Sequence, residues 1–372
     1  MDRKRNNSNS EGDAEAVSAR FQKRQREFSN DWDNGAHDQR KAQLTHDQYT
    51  IAWVCALPLE MAAARAMLDE IYEPLPRLVG DSNAYTLGRI GKHNVVMACL
   101  PDGQIGTVNA ASVMDNMMRS FNSIYAVLMV GIGGGVPTNV DIRLGDVVVG
   151  TRVMEYDLGK VLGPGQIQGT AVWKLPHKLL GTAITSLRAK HQHSGTGSQV
   201  SAILKERSYS YPNSPDQLFF PTYDHISSTS AGSCDRCDQS KLMPRIRRKN
   251  NNPQIHYGGI ASGNKLMRSA GERDHIARQL DIMCFEMEAA GVMGTCAPPC
   301  LPIRGICDYS DSHKNKTWQA YAAAAAAAYA REFVTELPVL AQERLAVAQH
   351  LIQGTLSLVP NGIPCTVTLA HI

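Results

Sequence analysis

The chain of 372 residues is 43% hydrophobic and 20% charged, enough apolar material for a full-sized core in one large or two ordinary domains. A formal net charge of +3 is too weak a bias to argue for a nucleic-acid partner. No apolar run is long enough to cross a bilayer, and the charged N-terminus lacks the apolar segment expected of a secretory signal.

Residues 1–46 are rich in Asn, Ser, Asp, Glu, Arg, Lys and Gln, and a disordered tail is expected there. The run 49–56 (YTIAWVCA) is β-branched and aromatic without alternation, as in a strand covered on both faces. Leu57-Pro58-Leu59-Glu60 turns into a helix expected over 61–71. Residues 85–90 and 94–100 read as a hairpin turning at Gly91-Lys92, and a helix is expected over 107–120. A buried strand over 125–130 runs into Gly131-Ile132-Gly133-Gly134-Gly135. Such a cluster suggests a dinucleotide fingerprint. Val136-Pro137 and the strand-like RLGDVVV (143–149) follow instead of a helix, so no helix N-terminus is offered to a pyrophosphate. A Rossmann cofactor site is set aside, and close approach of backbone to a ligand is the alternative use of these glycines.

Residues 190–254 are rich in Ser, Asn, Pro and charge and are expected to be an insertion or long mobile loop. They contain Cys234-Asp235-Arg236-Cys237, with His225 nearby. One C-x-x-C supplies two ligands where a structural zinc site needs four, and no metal is expected. Cys55, Cys99, Cys284 and Cys307 sit inside apolar segments, where reduced thiols in a cytoplasmic setting and no disulfide framework are expected. A strand over 256–262 leads into Gly263-Asn264-Lys265-Leu266-Met267, followed by a helix over 270–280 and a short strand over 282–285. Glu286-Met287-Glu288 forms a carboxylate-rich turn. An apolar strand over 301–307 ends on Asp308, and an alanine-rich helix spans about 318–336. One more helix is expected over 337–352, with weak structure beyond it. Strands alternating with helices over this length argue an α/β fold with a mixed central sheet.

The motifs FEMEAAG (285–291) and IRGICDYSDSHKNK (303–316), followed by the alanine-rich helix, resemble the nucleoside phosphorylase superfamily. Within it the chain is similar to the 5′-methylthioadenosine nucleosidase and purine nucleoside phosphorylase branch. The wording of the motifs is nearest to domains found in fungal multidomain proteins beside nucleotide-switch or repeat modules. The resemblance covers 49–336, apart from 190–254. It implies a three-layer α/β sandwich over 47–336 as one domain, with 337–372 as a C-terminal helix and tail. It further implies cofactor-free cleavage of a purine N-glycosidic bond by a homo-oligomer.

The resemblance also implies roles. Asp308 matches the general acid that protonates the purine at N7, a role that needs a pKa raised by burial or a neighbouring carboxylate. Arg304 matches a site arginine. Glu288 matches the carboxylate that grips the ribose 2′ and 3′ hydroxyls, since a carboxylate accepts from both. Met287 would floor the sugar, and Glu286 would help hold the attacking water. Gly133 and Gly134 belong to a loop that lies against the nucleoside. Asn264 replaces an acid used to read the base, Leu266 replaces a stacking aromatic, and Met267 would offer backbone contacts. RLGDVVV is a family motif whose Asp146 is expected to be structural.

Glu60 decides between two chemistries. Phosphorolytic relatives carry a phosphate-holding arginine at that turn, and hydrolytic ones carry glutamate to orient water. A carboxylate repels a phosphate dianion, at a cost of roughly 1–4 kcal/mol at about 4 Å. Water is therefore the expected nucleophile. The alternatives are a phosphorylase, with phosphate as second partner, and a nucleoside-sensing module without turnover.

Overall fold

The computed structural model describes residues 44–163, 166–194, 197–226, 234–295 and 298–339. The expected N-terminal tail as far as residue 43, and the expected helix beyond 339, lie outside the described residues.

In chain order the elements begin with β1 (Ile51–Cys55), α1 (Pro58–Ala66), β2 (Glu70–Tyr72), β3 (Tyr85–Ile90), β4 (His93–Cys99) and α2 (Thr107–Ser120). Next come β5 (Ala126–Gly135), β6 (Val147–Glu155), a separate hairpin of β7 (Gly159–Gly163) and β8 (Gln166–Gly169), α3 (Lys178–Ser194) and α4 (Val200–Glu206). The remainder is β9 (Ile255–Ser262), α5 (Ala270–Leu280), β10 (Ile282–Glu286), the single turn α6 (Ala289–Val292), β11 (Cys300–Asp308) and α7 (Gln319–Val334). The main sheet has nine strands in the order β10-β9-β6-β11-β5-β1-β4-β3-β2. Parallel pairs such as β1 with β5 and β11 with β5 mix with antiparallel ones such as β11 with β6. The fold is α/β with a mixed central sheet, as expected.

β1, β5 and β11 lie side by side and parallel, and the side chains of β1 and β11 are buried throughout. Continuous apolar runs are what such doubly covered strands require. Their carboxyl ends share one edge of the sheet, where open α/β sheets place ligands. Across that edge Cys284 and Phe285 of β10 pair antiparallel with Gly135 and Gly134 of β5. This closes β10, β9, β6, β11 and β5 into a ring.

α7 explains its own composition. Almost every residue from Tyr321 to Val334 is buried, so the helix is apolar all round. It presses so closely on β11 that a Cβ on Gly305 would lie 1.8 Å from the Ala322 carbonyl oxygen. Small side chains on the helix and a bare backbone on the strand are both required there.

Three expectations need correction. The helix after β1 starts at Pro58 and ends at Ala66, because proline fits the first turn, where its missing N–H is not needed; Glu70–Tyr72 is an edge strand. The glycine run does not end the strand at 130, because β5 continues through Gly135. The stretch 190–254 is not a free loop. Its described residues contribute the end of α3 and α4, and their side chains reach Tyr309, just past the end of β11: Asp216 accepts from the Tyr309 hydroxyl at 2.5 Å, and Arg245 donates to that hydroxyl at 2.8 Å.

Candidate active site

Glu60 is the third residue of α1 and is almost completely buried. Its Oε2 accepts from the backbone N–H groups of Ala56 and Leu57 at 2.8 and 2.9 Å, satisfying donors that a helix start leaves open. Its Oε1 accepts from Ile132 N–H at 2.7 Å. Burial raises its pKa above the usual carboxylate range, against the pull of Arg304 and the three backbone donors. A Cβ on Gly131 would fall 2.5 Å from both Glu60 Oε1 and Arg304 Nη1, so glycine is what lets these two side chains converge.

Arg304, on β11, is 1% exposed. Its Nη2 donates to Glu286 Oε2, and lies 3.3 Å from Glu288 Oε2. Burial works against its charge, but Glu286, Glu288 and Glu60 together hold its pKa above the ordinary value. One guanidinium thus serves three buried carboxylates. Glu286 is fully engaged, since it also accepts from Glu288 N–H at 3.1 Å and Ala289 N–H at 2.9 Å. That geometry fixes the turn into α6 and aims Glu288. Burial, with Glu286 and Glu60 adding and Arg304 opposing, pushes Glu288 up to about 7.

Asp308 ends β11 and is 4% exposed. Its Oδ1 accepts from Ser310 N–H at 2.9 Å, and its Oδ2 lies 2.6 Å from Lys314 Nζ. Burial disfavours the Lys314 ammonium, yet Asp308 outweighs it and the lysine pKa is raised. Ser310 has φ +54°, a left-handed conformation that costs a serine energy and marks functional turns. It reverses the chain so that residue 314 returns to residue 308. Buried Arg273 donates to the Tyr309 carbonyl at 2.8 Å and braces the same turn. A Cβ on Gly134 would lie 2.1 Å from Ser310 Oγ and 2.8 Å from Asp308 Oδ1. The glycines of β5 therefore make room chiefly for protein side chains.

A cavity of about 150 Å³ opens here. Glu60, Glu286 and Glu288 line one part of it, Met287, Met267 and Leu266 supply apolar wall, and Gly133 and Gly134 line it as well. Two expectations shift. Arg304 and Asp308 are not on the wall; Arg304 lies beneath the carboxylates, and Lys314, Cys307 and Ser310 line the cavity around Asp308. Asn264 is not on the wall either. Its Oδ1 accepts from Thr107 N–H at 3.0 Å and so caps α2. Sequence reasoning missed Lys314 and Ser310. The only signal was their place in SDSHKNK, six and two residues after the acid.

A larger cleft of about 350 Å³ lies at Asp146 and is lined by Arg143, Arg245 and Arg248. These arginines are paired with Asp141, Asp216 and Asp146, which braces the walls of the cleft. Asp146, 1% exposed, also meets His256 Nε2 at 2.9 Å. Burial raises its pKa, but Arg248 and His256 outweigh that and hold it low. Elsewhere His225, Cys234 and Cys237 gather their donor atoms within 4.8 Å of one another.

A family model described as the phosphorylase superfamily matches residues 50–205. A nucleotide-binding leucine-rich repeat (NLR)-like protein of Hyaloscypha variabilis is 40% identical over 307 residues, covering 78% of this chain and 30% of that protein. The 5′-methylthioadenosine/S-adenosylhomocysteine nucleosidase of Mycobacterium bovis is 24% identical over 302 residues, covering 78% of this chain and 98% of the enzyme. ATP nucleosidase Cap17 of Escherichia coli is 25% identical over 298 residues, with 78% and 52% covered. The chain thus spans under a third of the fungal relative and about half of Cap17. The phosphorylase-superfamily model thus accounts for residues 50–205, and the likeness to the nucleosidase of Mycobacterium bovis runs over 78% of the chain.

Proposed function

We propose that the site hydrolyses the N-glycosidic bond of a purine nucleoside. The observation that carries this reading is the arrangement of charge at the cavity. Glu60, Glu286 and Glu288 face it, while Arg304 lies behind them with Nη2 committed to Glu286 and Glu288. A phosphate dianion at the sugar would meet carboxylates first, and like charges at about 4 Å cost roughly 1–4 kcal/mol. Water meets no such penalty.

In this reading Glu60 is the general base. Its pKa, raised by burial, makes it a stronger base than an ordinary carboxylate, and its backbone partners hold it in one orientation. Water attacks C1′ and gives its proton to Glu60. The C1′–N9 bond breaks, and its electron pair leaves with the base. The base takes a proton at N7 from the Asp308–Lys314 pair, whose proton-bearing ammonium is on the cavity wall. This relocates the role first assigned to Asp308 alone. Glu288 receives the ribose hydroxyls, Met287 floors the sugar, and Met267 and Leu266 bound the base. Glu286 positions Arg304 and the Glu288 turn rather than the water.

A nucleoside 5′-phosphate is the second substrate reading. One curated relative is named an ATP nucleosidase, and exposed Lys265 lines the cavity without an ion pair among the described residues. The test is release of free base from adenosine, inosine, guanosine, methylthioadenosine and ATP, for wild type and for Asp308→Asn. Base release lost in the variant, with its thermal unfolding unchanged, supports the assignment. Equal rates would remove Asp308 from the chemistry, and no release by wild type would leave the site a binding module.

A further inference from the structure

We propose that His225, Cys234 and Cys237 bind one zinc ion, which clamps the 190–254 insertion to the loop carrying Lys314. The sequence spacing alone offers two thiols. The fold adds an imidazole from a separate turn: His225 Nδ1 lies 3.3 Å from Cys237 Sγ and 3.8 Å from Cys234 Sγ. Zinc bonds of about 2.0–2.3 Å at tetrahedral angles put neighbouring donor atoms about 3.5–3.8 Å apart, so the cluster has the size of a zinc site. Cys237 N–H donates to the Cys234 carbonyl at 3.0 Å, a tight turn that brings both thiols to one side.

A second observation points to the same place. His313 is 7% exposed, and its Nε2 is buried without a hydrogen-bond partner. Its ring stands edge-on to that of His225, with centroids 5.5 Å apart, and is held by stacking on Phe219. An orphaned buried nitrogen costs free energy unless something uses it. The donor atoms within 4.8 Å of one another are those of His225, Cys234 and Cys237, so a water takes the fourth position of a four-coordinate site, beside the unpartnered His313 Nε2. Binding displaces the two thiol protons to solvent and involves no change of oxidation state.

The position of the cluster gives the ion its consequence. His225 N–H donates to Ser312 Oγ at 3.0 Å, and Ser312 Oγ donates to Asp224 at 3.1 Å. Two residues on, Lys314 holds Asp308. Zinc would therefore fix the turn that places Lys314, acting as a positioning device remote from the substrate. The site stands whether or not the proposed hydrolysis is correct, because its test reads metal rather than turnover.

The experiment measures metal content of the full chain after dialysis, then cobalt(II) uptake by the metal-free protein. The expected results are about one zinc per chain and a thiolate-to-cobalt charge-transfer band with tetrahedral visible bands. Both should be lost in Cys237→Ser and in Cys234→Ser. Because either variant could misfold, the wild type is also treated with a chelator. Its Tm should fall and should recover on adding zinc but not magnesium. A metal-free wild type that takes up no cobalt overturns the proposal, as does a Cys234–Cys237 disulfide found by mass spectrometry in freshly purified protein.

Discussion

Lys314 Nζ lies 2.6 Å from Asp308 Oδ2, and the lysine rather than the aspartate faces the cavity. The proton donor proposed for the leaving base is thus a pair. Replacing Lys314 with Met removes the ammonium and leaves a buried carboxylate without its cation. Base release should fall by about 10²–10⁴-fold, the usual worth of a positioned acid. The loss should appear in kcat, with KM changed little, and Lys314→Arg should recover part of it. Steady-state kinetics on the three proteins checks this.

Glu60→Gln keeps the shape of the side chain but sets an NH₂ group against backbone N–H donors that the carboxylate now satisfies. Two effects are expected. The rate should drop by about 10²–10⁴-fold through loss of the base. Stability should drop by about 1–3 kcal/mol, because a buried donor is left unpaired. Single-turnover kinetics and denaturant unfolding of the same preparation separate them.

Glu288 is pushed up to about 7 by burial and by its carboxylate neighbours. A raised carboxyl pKa means the folded protein keeps the proton up to that pH, and the form that accepts both ribose hydroxyls predominates only above it. Affinity for a non-hydrolysable nucleoside analogue should therefore rise from pH 6 to pH 8, approaching tenfold per unit below the pKa. The ligand-free protein should lose some stability over the interval between the ordinary carboxylate range and about pH 7. Calorimetric titrations across this range, with Glu288→Gln as the flat control, test the sign.

Gly134→Ala and Gly305→Ala should fail differently. The first pushes a methyl group onto Ser310 Oγ and Asp308 Oδ1, so it should lower kcat more than stability. The second meets a helix backbone carbonyl at 1.8 Å. Neither strand nor helix can yield cheaply, and destabilisation of about 3 kcal/mol or more is expected. Thermal unfolding beside kinetics distinguishes the two.

The strands that bear the motifs were legible because each was a buried apolar run ending in a residue with chemistry. β1 leads to Glu60, β10 ends on Glu286 and β11 on Asp308; the carboxyl ends of β1 and β11 share one edge of the sheet, and antiparallel β10 pairs with β5 there. The helices 107–120 and 270–280 were read with the bounds the structure gives. What was not legible depended on tertiary placement. Asn264 looked like a base reader, but its amide caps α2. Lys314 lay in a quoted motif, yet only the left-handed Ser310 turn folds it back onto Asp308. The insertion read as a loop from its polar composition. Its anchoring comes from scattered single residues such as Asp216, Arg245 and His225, which carry no periodicity.

The central claim is that water, not phosphate, attacks the sugar. The most direct measurement is the sugar product formed with and without inorganic phosphate, resolved by phosphorus NMR and chromatography. The arrangement of Glu60, Glu286 and Glu288 over Arg304 predicts free sugar in both cases, at a rate indifferent to phosphate. Ribose 1-phosphate, formed only when phosphate is present, would contradict it.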